Sequence, residues 1–524
     1  MKKLLILVWF CFAMAPFSKV EQEAFYDVII KNGKVLDGSG TPWISADIAI
    51  DGNRIAAVGD LSDAEAEKVI DASGLYVAPG FIDTHSHAGG GLTDPDLSAA
   101  RPLLAQGVTS VFINPDGGGS SDLEEQRERI LEDGTGVNVA QFVPHGSVRR
   151  AVMDMDDRAP EDDEMKEMKE LVRTGMELGA FGLSSGPFYP PGSYADTDEL
   201  VKLSKVASEY NGAYQSHIRD ESDYTIGLVA AVDEVIEIAE RADLPGIVTH
   251  IKALGPNVWG YSAAVVHRIE RARDQGIEVF ADQYPYEASA TGLSAALVPS
   301  WARAGGTDEF RNRLEEPALR DSIYQGMVEN LERRGGPHRL TIRRFREDPS
   351  LEGRTLEEIA EERDLPAVDT ALELLKEGSP GVVSFNMHTR DVNRLMKQPW
   401  TMTASDGGLV EKGEGVPHPR NYGAFSRKLR HYVVEKEVVD LATAIHSMTH
   451  MPARVYGVAD RGMIREGNYA DIAVFDLERV NDKATFTEPH QLSEGMVHVL
   501  VNGVAAIYDE EFTGERPGNI LSNE

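Results

Sequence analysis

His85 and His87 stand two residues apart at the end of an apolar run, in GFIDTHSH. In a strand, residues i and i+2 point to one face, so both imidazoles can meet a single ion. Alone, such a pair carries little weight, because short motifs recur by chance. Three further residues add to it: His217 closes GAYQSH, His250 closes PGIVTH, and Asp406 follows the apolar run WTMTAS. Taken singly, each reads better as a capping or core-satisfied side chain. Four histidines and an aspartate, all at strand ends, favour a metal site. A divalent ion there lowers the pKa of a bound water toward ~7 and polarises a carbonyl, while a carboxylate such as Asp406 moves protons. Asp116, in FINPDGGG, also ends an apolar run. It is either another carboxylate of that site or the cap of a glycine turn. His145, in VPHGSVRR, follows an apolar run but is assigned no chemistry. His267, His431, His446 and His450 fall in or beside helical segments, and His338, His388 and His490 lack the strand-end setting.

The elements that must position these residues alternate between helix and strand. Residues 160–178 open with Pro160 and acidic residues, carry Met165, Met168, Leu171 and Val172 at helical spacing, and stop at Gly179. The strand AFGLSSG follows, and then TDELVKLSKVASEYN and GAYQSHI, TIGLVAAVDEVIEIAERAD and PGIVTHIKA, SAAVVHRIERARDQG and IEVFADQYPY. Repeated strand–helix units predict a parallel sheet closed as a (β/α)8 TIM-like barrel, an α/β fold whose chemistry sits at the C-terminal strand ends. Residues 78–457 are assigned to it. The β-rich stretches 24–77 and 458–515 are expected to pair into one small β-sandwich domain, with Asn32-Gly33 and Asp51-Gly52 as hairpin signals.

The 524 residues carry a net charge of -34, which argues against nucleic acid and anionic membrane surfaces as partners. MKKLLILVWFCFAMAPFS has two lysines, an apolar core and small residues, the pattern of a signal peptide over residues 1–18. It predicts an exported protein, periplasmic or extracellular, with no stable membrane anchor. Cys11 lies in that leader and is the only cysteine, so the mature chain has neither disulfides nor thiolate ligands.

GFIDTHSH, GLSSG with YPPGSYA, QSHIRDES, THIKALGPNVWG, DQYPYEASATGL, MTASDG and PHPRNYGAFSRKL together resemble the N-acyl-D-amino-acid deacylases, or D-aminoacylases, of the amidohydrolase superfamily. The resemblance covers roughly residues 26–510, and RGMIREGNYADIAVFD looks like the superfamily's closing β-segment. It implies a zinc-dependent amide hydrolase with one or two ions, another divalent metal being possible. By motif, His85 and His87 match ligands of the more exposed metal, His217 and His250 those of the tighter one, and Asp406 the acid/base. GAFGLSSG lacks the lysine that bridges metals in many superfamily members, as in the deacylase branch. That branch carries a cysteine where this chain has Asp116, a departure that leaves the ligand reading and the turn reading both standing. A carboxylate can bridge two ions, as a harder donor than thiolate.

The resemblance further implies a small-molecule substrate with a carboxylate, met by Lys252, Tyr284 and Arg394, with Tyr189 in the same pocket. For Arg394 a surface ion pair is the competing reading. The activity expected is removal of the acyl group from N-acyl-D-amino acids. The alternatives are a dipeptidase for peptides ending in a D-residue, a lactone or cyclic-amide hydrolase, and a non-catalytic scaffold, which retention of the five strand-end residues disfavours. Oligomeric state cannot be read from these residues.

Overall fold

The computed structural model describes residues 25–523. The leader assigned to residues 1–18 lies outside them. The chain opens with β1 (Phe25–Val35), β2 (Ile44–Asp51), β3 (Arg54–Gly59), β4 (Glu65–Asp71) and β5 (Tyr76–Pro79). Asp51-Gly52 forms the predicted hairpin between β2 and β3. Asn32-Gly33 does not: β1 runs on through it with a shift of register against β2. Asn32 takes a φ of 64°, and a Cβ on Gly33 would lie 2.6 Å from Val77 Cγ2. The pair therefore bends one strand over its neighbour instead of reversing it.

The barrel strands follow: β6 (Phe81–Asp83), β7 (Val108–Ile113), β8 (Asn138–Gln141) running on past Phe142 into β9 (Val143–Pro144), β10 (Gly182–Ser185), β11 (Ala213–Ser216), β12 (Gly246–Val248) and β13 (Val279–Gln283). All pair in parallel with their neighbours. The predicted helices lie between them. Helix Asp162–Glu177 begins at a capping box between Glu161 and Glu164, buries Met165, Met168 and Val172, and is followed by Gly179 at a φ of 87°. Helix Leu228–Ala242 starts later than its apolar pattern, because Asp220 accepts from the N–H groups of Thr225 and Gly227 and holds them in a turn.

Between β13 and the last barrel strand the chain inserts β14 (Ser289–Gly292), β15 (Leu340–Arg344) and β16 (Gly381–Ser384), an antiparallel sheet in the order β14-β16-β15. Helices pack on it around Leu293, Leu297, Ile323, Met327, Leu356 and Leu374, a core separate from that of the barrel. The last barrel strand, β17 (Thr401–Thr403), pairs with β13. The ring then closes onto β6, where the His85 carbonyl accepts from Asp406 N at 2.9 Å and the Gly407 carbonyl from His87 N at 2.7 Å. The closing bonds thus run through three candidate site residues.

β18 (Ile472–Phe475), β19 (Met496–Val501), β20 (Val504–Tyr508) and β21 (Glu511–Phe512) end the chain. β18 pairs with β5, so strands from both chain ends form one nine-stranded sheet. One face encloses Ile30, Ile48, Ile50, Val77, Ile472 and Val474, and the other carries Ala78, Ala473, Phe475 and Val499 against barrel residues such as Phe81 and Phe425.

Behind β17, Lys428 is buried and donates to Thr403 Oγ1 at 2.7 Å and Ser447 Oγ at 2.8 Å, with no acidic partner among its hydrogen bonds. Burial pulls its pKa from 10.5 down to about 7. The unfolded chain therefore holds more protons than the folded one between about pH 7 and 10.5, and this group makes stability rise with pH across that window. Denaturation of wild type and Lys428→Met at both ends of the window checks this. The wild type should gain on the variant as pH rises, and a difference flat with pH would contradict the buried-amine account.

Candidate metal centre

Side chains from five barrel strand ends meet at the mouth. Asp116, His250 and Asp406 have φ values of 57°, 35° and 50°, so the chain turns sharply where each leaves its strand. Left-handed backbone is costly for residues other than glycine, and least so for Asp and Asn. Two buried carboxylates pin the strand ends from below. Asp83 accepts from Ser405 N at 2.8 Å and His85 N at 3.3 Å; Asp282 accepts from His250 N at 2.5 Å and Thr84 Oγ1 at 3.3 Å. Burial raises both, Asp83 to about 6.

The Asp116 carboxylate lies among four imidazoles. Its Oδ1 is 3.4 Å from His85 Nε2, 3.4 Å from His250 Nε2 and 3.9 Å from His217 Nδ1, and its Oδ2 is 3.4 Å from His87 Nε2. Asp406 Oδ1 is 3.1 Å from His87 Nε2 and 3.7 Å from His85 Nε2. Ligand atoms held tetrahedrally at 2.0–2.1 Å from zinc are separated by about 3.3 Å. The observed spacings are those of a ligand shell. They form two groups sharing Asp116: His85, His87, Asp116 and Asp406, and Asp116, His217 and His250. His85 Nε2 and Asp116 Oδ1 are buried without a hydrogen-bond partner, which is costly unless a cation meets them. Imidazole and carboxylate donors suit zinc and other borderline divalent ions.

The glycines after Asp116 permit this approach. A Cβ on Gly117 would lie 3.0 Å from Gly146 N, and one on Gly186 would lie 2.2 Å from Asp116 O. The turn is thus a close packing of three strand-end loops, and Asp116 Oδ1 accepts no hydrogen bond from it. From β10 come Ser184 and Ser185, which bond to Asn114 O and to Tyr214 and Ser216 and point no ligand at the centre.

Charge is balanced locally. Burial opposes ionisation of Asp406, yet Arg420, donating to Oδ2 at 2.7 Å, and the surrounding histidines hold its carboxyl far below the usual range. His87 keeps an exposed face, and Asp116 and Asp406 beside it hold its pKa up at about 9. His217, where burial prevails, falls to about 4. Glu221 and Lys252, paired with each other, lie 3.0 Å and 2.7 Å from His250 Nδ1. A carboxylate behind a ring nitrogen leaves the other nitrogen free for an ion.

Tyr189, Lys252 and Tyr284 line the same cavity, of about 1190 Å³. Arg394 does not: it sits on helix Thr389–Met396 and donates to Ser262 Oγ at 3.1 Å, beside the Asp391 that the same hydroxyl bonds. Its pocket assignment is corrected to a structural contact outside the cavity. Glu221, Arg420 and His418 are cavity residues not singled out from sequence. QSHIRDES and PHPRNYG contain them, but a glutamate four residues past His217 or an arginine in a loop carries no periodic signal. His145 is buried against Glu199 at 2.9 Å, within a pair that Arg149 completes.

An amidohydrolase-family model matches residues 68–507 of the chain. An N-acyl-D-glutamate deacylase of Alcaligenes xylosoxydans xylosoxydans is 35% identical, over 95% of this chain and 97% of that one. The structure of an N-acyl-D-glutamate deacylase from Bordetella bronchiseptica, complexed with zinc and a phosphonate mimic of the tetrahedral intermediate, superposes with a TM-score of 0.82 at 32% identity, covering 95% of this chain and 100% of that one. A D-aminoacylase structure concerned with a binuclear metal centre, with one-metal activation and second-metal attenuation, gives 0.80 at 32% identity, over 95% and 100% of the two chains. The chain belongs to the amidohydrolase family.

Because a methyl at Gly186 has no room against Asp116 O, Gly186→Ala is expected to cost about 1–3 kcal/mol. Urea denaturation measures it, and an unchanged midpoint would refute the close approach of the two loops.

Proposed function

We propose that this amidohydrolase removes the acyl group from N-acyl-D-amino acids, with His85, His87, His217, His250, Asp116 and Asp406 holding one or two zinc ions. The observation that carries the reading is one carboxylate, Asp116, within 3.4–3.9 Å of four imidazoles, at the spacing of a shared ligand. The deacylases to which the chain is similar support the substrate class. When bound, zinc would supply a nucleophilic water at neutral pH and a Lewis acid for the amide carbonyl.

The chain's own residues would do the rest. Asp406 takes a proton from the attacking water and returns it to the departing nitrogen, while Arg420 fixes its Oδ2 and leaves Oδ1 toward the centre. Tyr284, buried with no partner for its hydroxyl, offers a hydrogen bond to a substrate carboxylate. Lys252 holds Glu221, which in turn orients His250. The leader-like residues 1–18 support action outside the cytoplasm.

Metal analysis of wild type and Asp116→Ala, with turnover of matched N-acyl-D and N-acyl-L amino acids, tests this. The variant should lose metal and at least about 100-fold in kcat/KM, since ligand loss removes the water's activation. Unchanged metal content and rate would remove Asp116 from the ligands, and activity confined to lactones would overturn the deacylase reading. Asp406→Asn should keep the metal held by Asp116, His217 and His250 yet lose about 1000-fold in kcat, as expected when a proton carrier is lost.

A further inference from the structure

Glu221 stands behind both histidines of the Asp116, His217 and His250 group. Its Oε1 is 3.0 Å from His250 Nδ1 and its Oε2 is 4.0 Å from His217 Nε2, the ring nitrogens that face away from Asp116. The loop that carries it is tied down. The Glu221 carbonyl accepts from Leu254 N at 2.9 Å, and Asp220 accepts from Ser222 N at 2.8 Å and Gly227 N at 3.0 Å. Backbone held in this way leaves rearrangement to the side chains.

Lys252 intrudes on the relation between Glu221 and His250. Its buried ammonium donates to the same Oε1 and lies 2.7 Å from His250 Nδ1. An ammonium only donates, and a neutral imidazole that binds an ion through Nε2 keeps its proton on Nδ1 and donates there too. Two donors 2.7 Å apart then compete for one oxygen, with no acceptor between them. The ammonium charge also repels a second cation at the ring. Lys252 as placed works against an ion on His250 unless another acceptor takes the ammonium.

The cavity provides room for such an acceptor. Lys252 lines it, with Nζ 5.6 Å from the ring centroid of Tyr284, whose buried hydroxyl has no partner. A carboxylate bound beside that hydroxyl can accept the charge-assisted hydrogen bond of the ammonium. We infer that a carboxylate-bearing substrate tightens the metal it is to meet: by engaging Lys252 it releases Glu221 Oε1 to His250. Glu221 is then a positioning residue whose hold on the ring depends on the occupant of the cavity. The inference rests on the reading of His217 and His250 as ligands. Such coupling is reciprocal, so a bound ion strengthens carboxylate binding by the same factor.

The test is the zinc affinity of the protein at fixed pH, measured in chelator-buffered zinc with 4-methylpentanoate or its neutral amide as the probe. The carboxylate should tighten zinc about 10-fold, within the range seen when the outer partner of a histidine ligand changes, and the amide should not. Lys252→Met should bind zinc at least as tightly as carboxylate-saturated wild type and gain nothing more from the probe, whereas a merely supporting lysine would leave zinc weaker on removal. Glu221→Met should bind zinc about 10-fold more weakly and lose the response to carboxylate. A response that survives in Glu221→Met means that the probe acts by its charge or as a direct ligand, and overturns the inference. Zinc affinity that 4-methylpentanoate leaves unchanged in wild type, or weaker zinc in Lys252→Met, also overturns it, while the ligand reading stands. Failure of wild type to take up zinc at all sinks both.

Discussion

The arrangement of this barrel mouth turns on one carboxylate that must lie close to four imidazoles. His217 Nδ1 and His250 Nε2 approach to 2.9 Å, so a proton or a cation has to stand between those nitrogens. Despite burial and the charge of Lys252, Glu221, Asp406 and Asp116 hold His250 up at about 10, as Asp116 and Asp406 hold His87 at about 9. The carboxylates thus retain protons on neighbouring rings in the absence of another positive charge. An ion entering the centre would replace those protons, which makes metal binding and proton release one process. A site of this kind is hard to assemble from side chains alone, and the surrounding structure is organised to hold it.

Holding it requires backbone as much as side chains. Asp83 and Asp282 accept main-chain N–H groups of His85, Ser405 and His250, so the strand ends bearing ligands are tied to each other across the barrel. The hydrogen bonds that close β17 onto β6 run through His85, His87, Asp406 and Gly407. Closure of the fold and assembly of the site are therefore the same set of bonds. Left-handed backbone at Asp116, His250 and Asp406 stores strain that this closure offsets.

What can be read from the chain follows from how local each signal is. Helix Asp162–Glu177 announces itself through its acidic first turn, methionine spacing and Gly179, all within one segment. Strand-end histidines are legible because apolar runs end at them. Asn32-Gly33 misleads because the same two residues serve a reversal or a bulge, and the choice is made by Val77, far along the chain. The inserted sheet β14-β16-β15 is not legible, since its order pairs strands separated by long helical stretches. Arg394 is misplaced for a related reason: only the packing of its helix against Ser262 and Asp391 shows which way it points. Glu221 and Arg420 act through partners on other strands, a relation no spacing encodes.

The same reasoning explains why aspartate can stand where the similar deacylases are expected to carry cysteine. A single sulfur would have to reach both ions from one point, whereas Asp116 has two oxygens. Its Oδ1 faces His85, His217 and His250, and its Oδ2 faces His87. Aspartate also tolerates the φ of 57° imposed here better than most residues, through its short polar side chain. As a ligand, the harder oxygen donor would relax the preference for thiophilic ions and widen the range of divalent metals the centre could use. It also leaves this strand end without an oxidisable thiol. Those gains depend on Gly117 and Gly186 keeping the loops close enough for so short a side chain to span the distance.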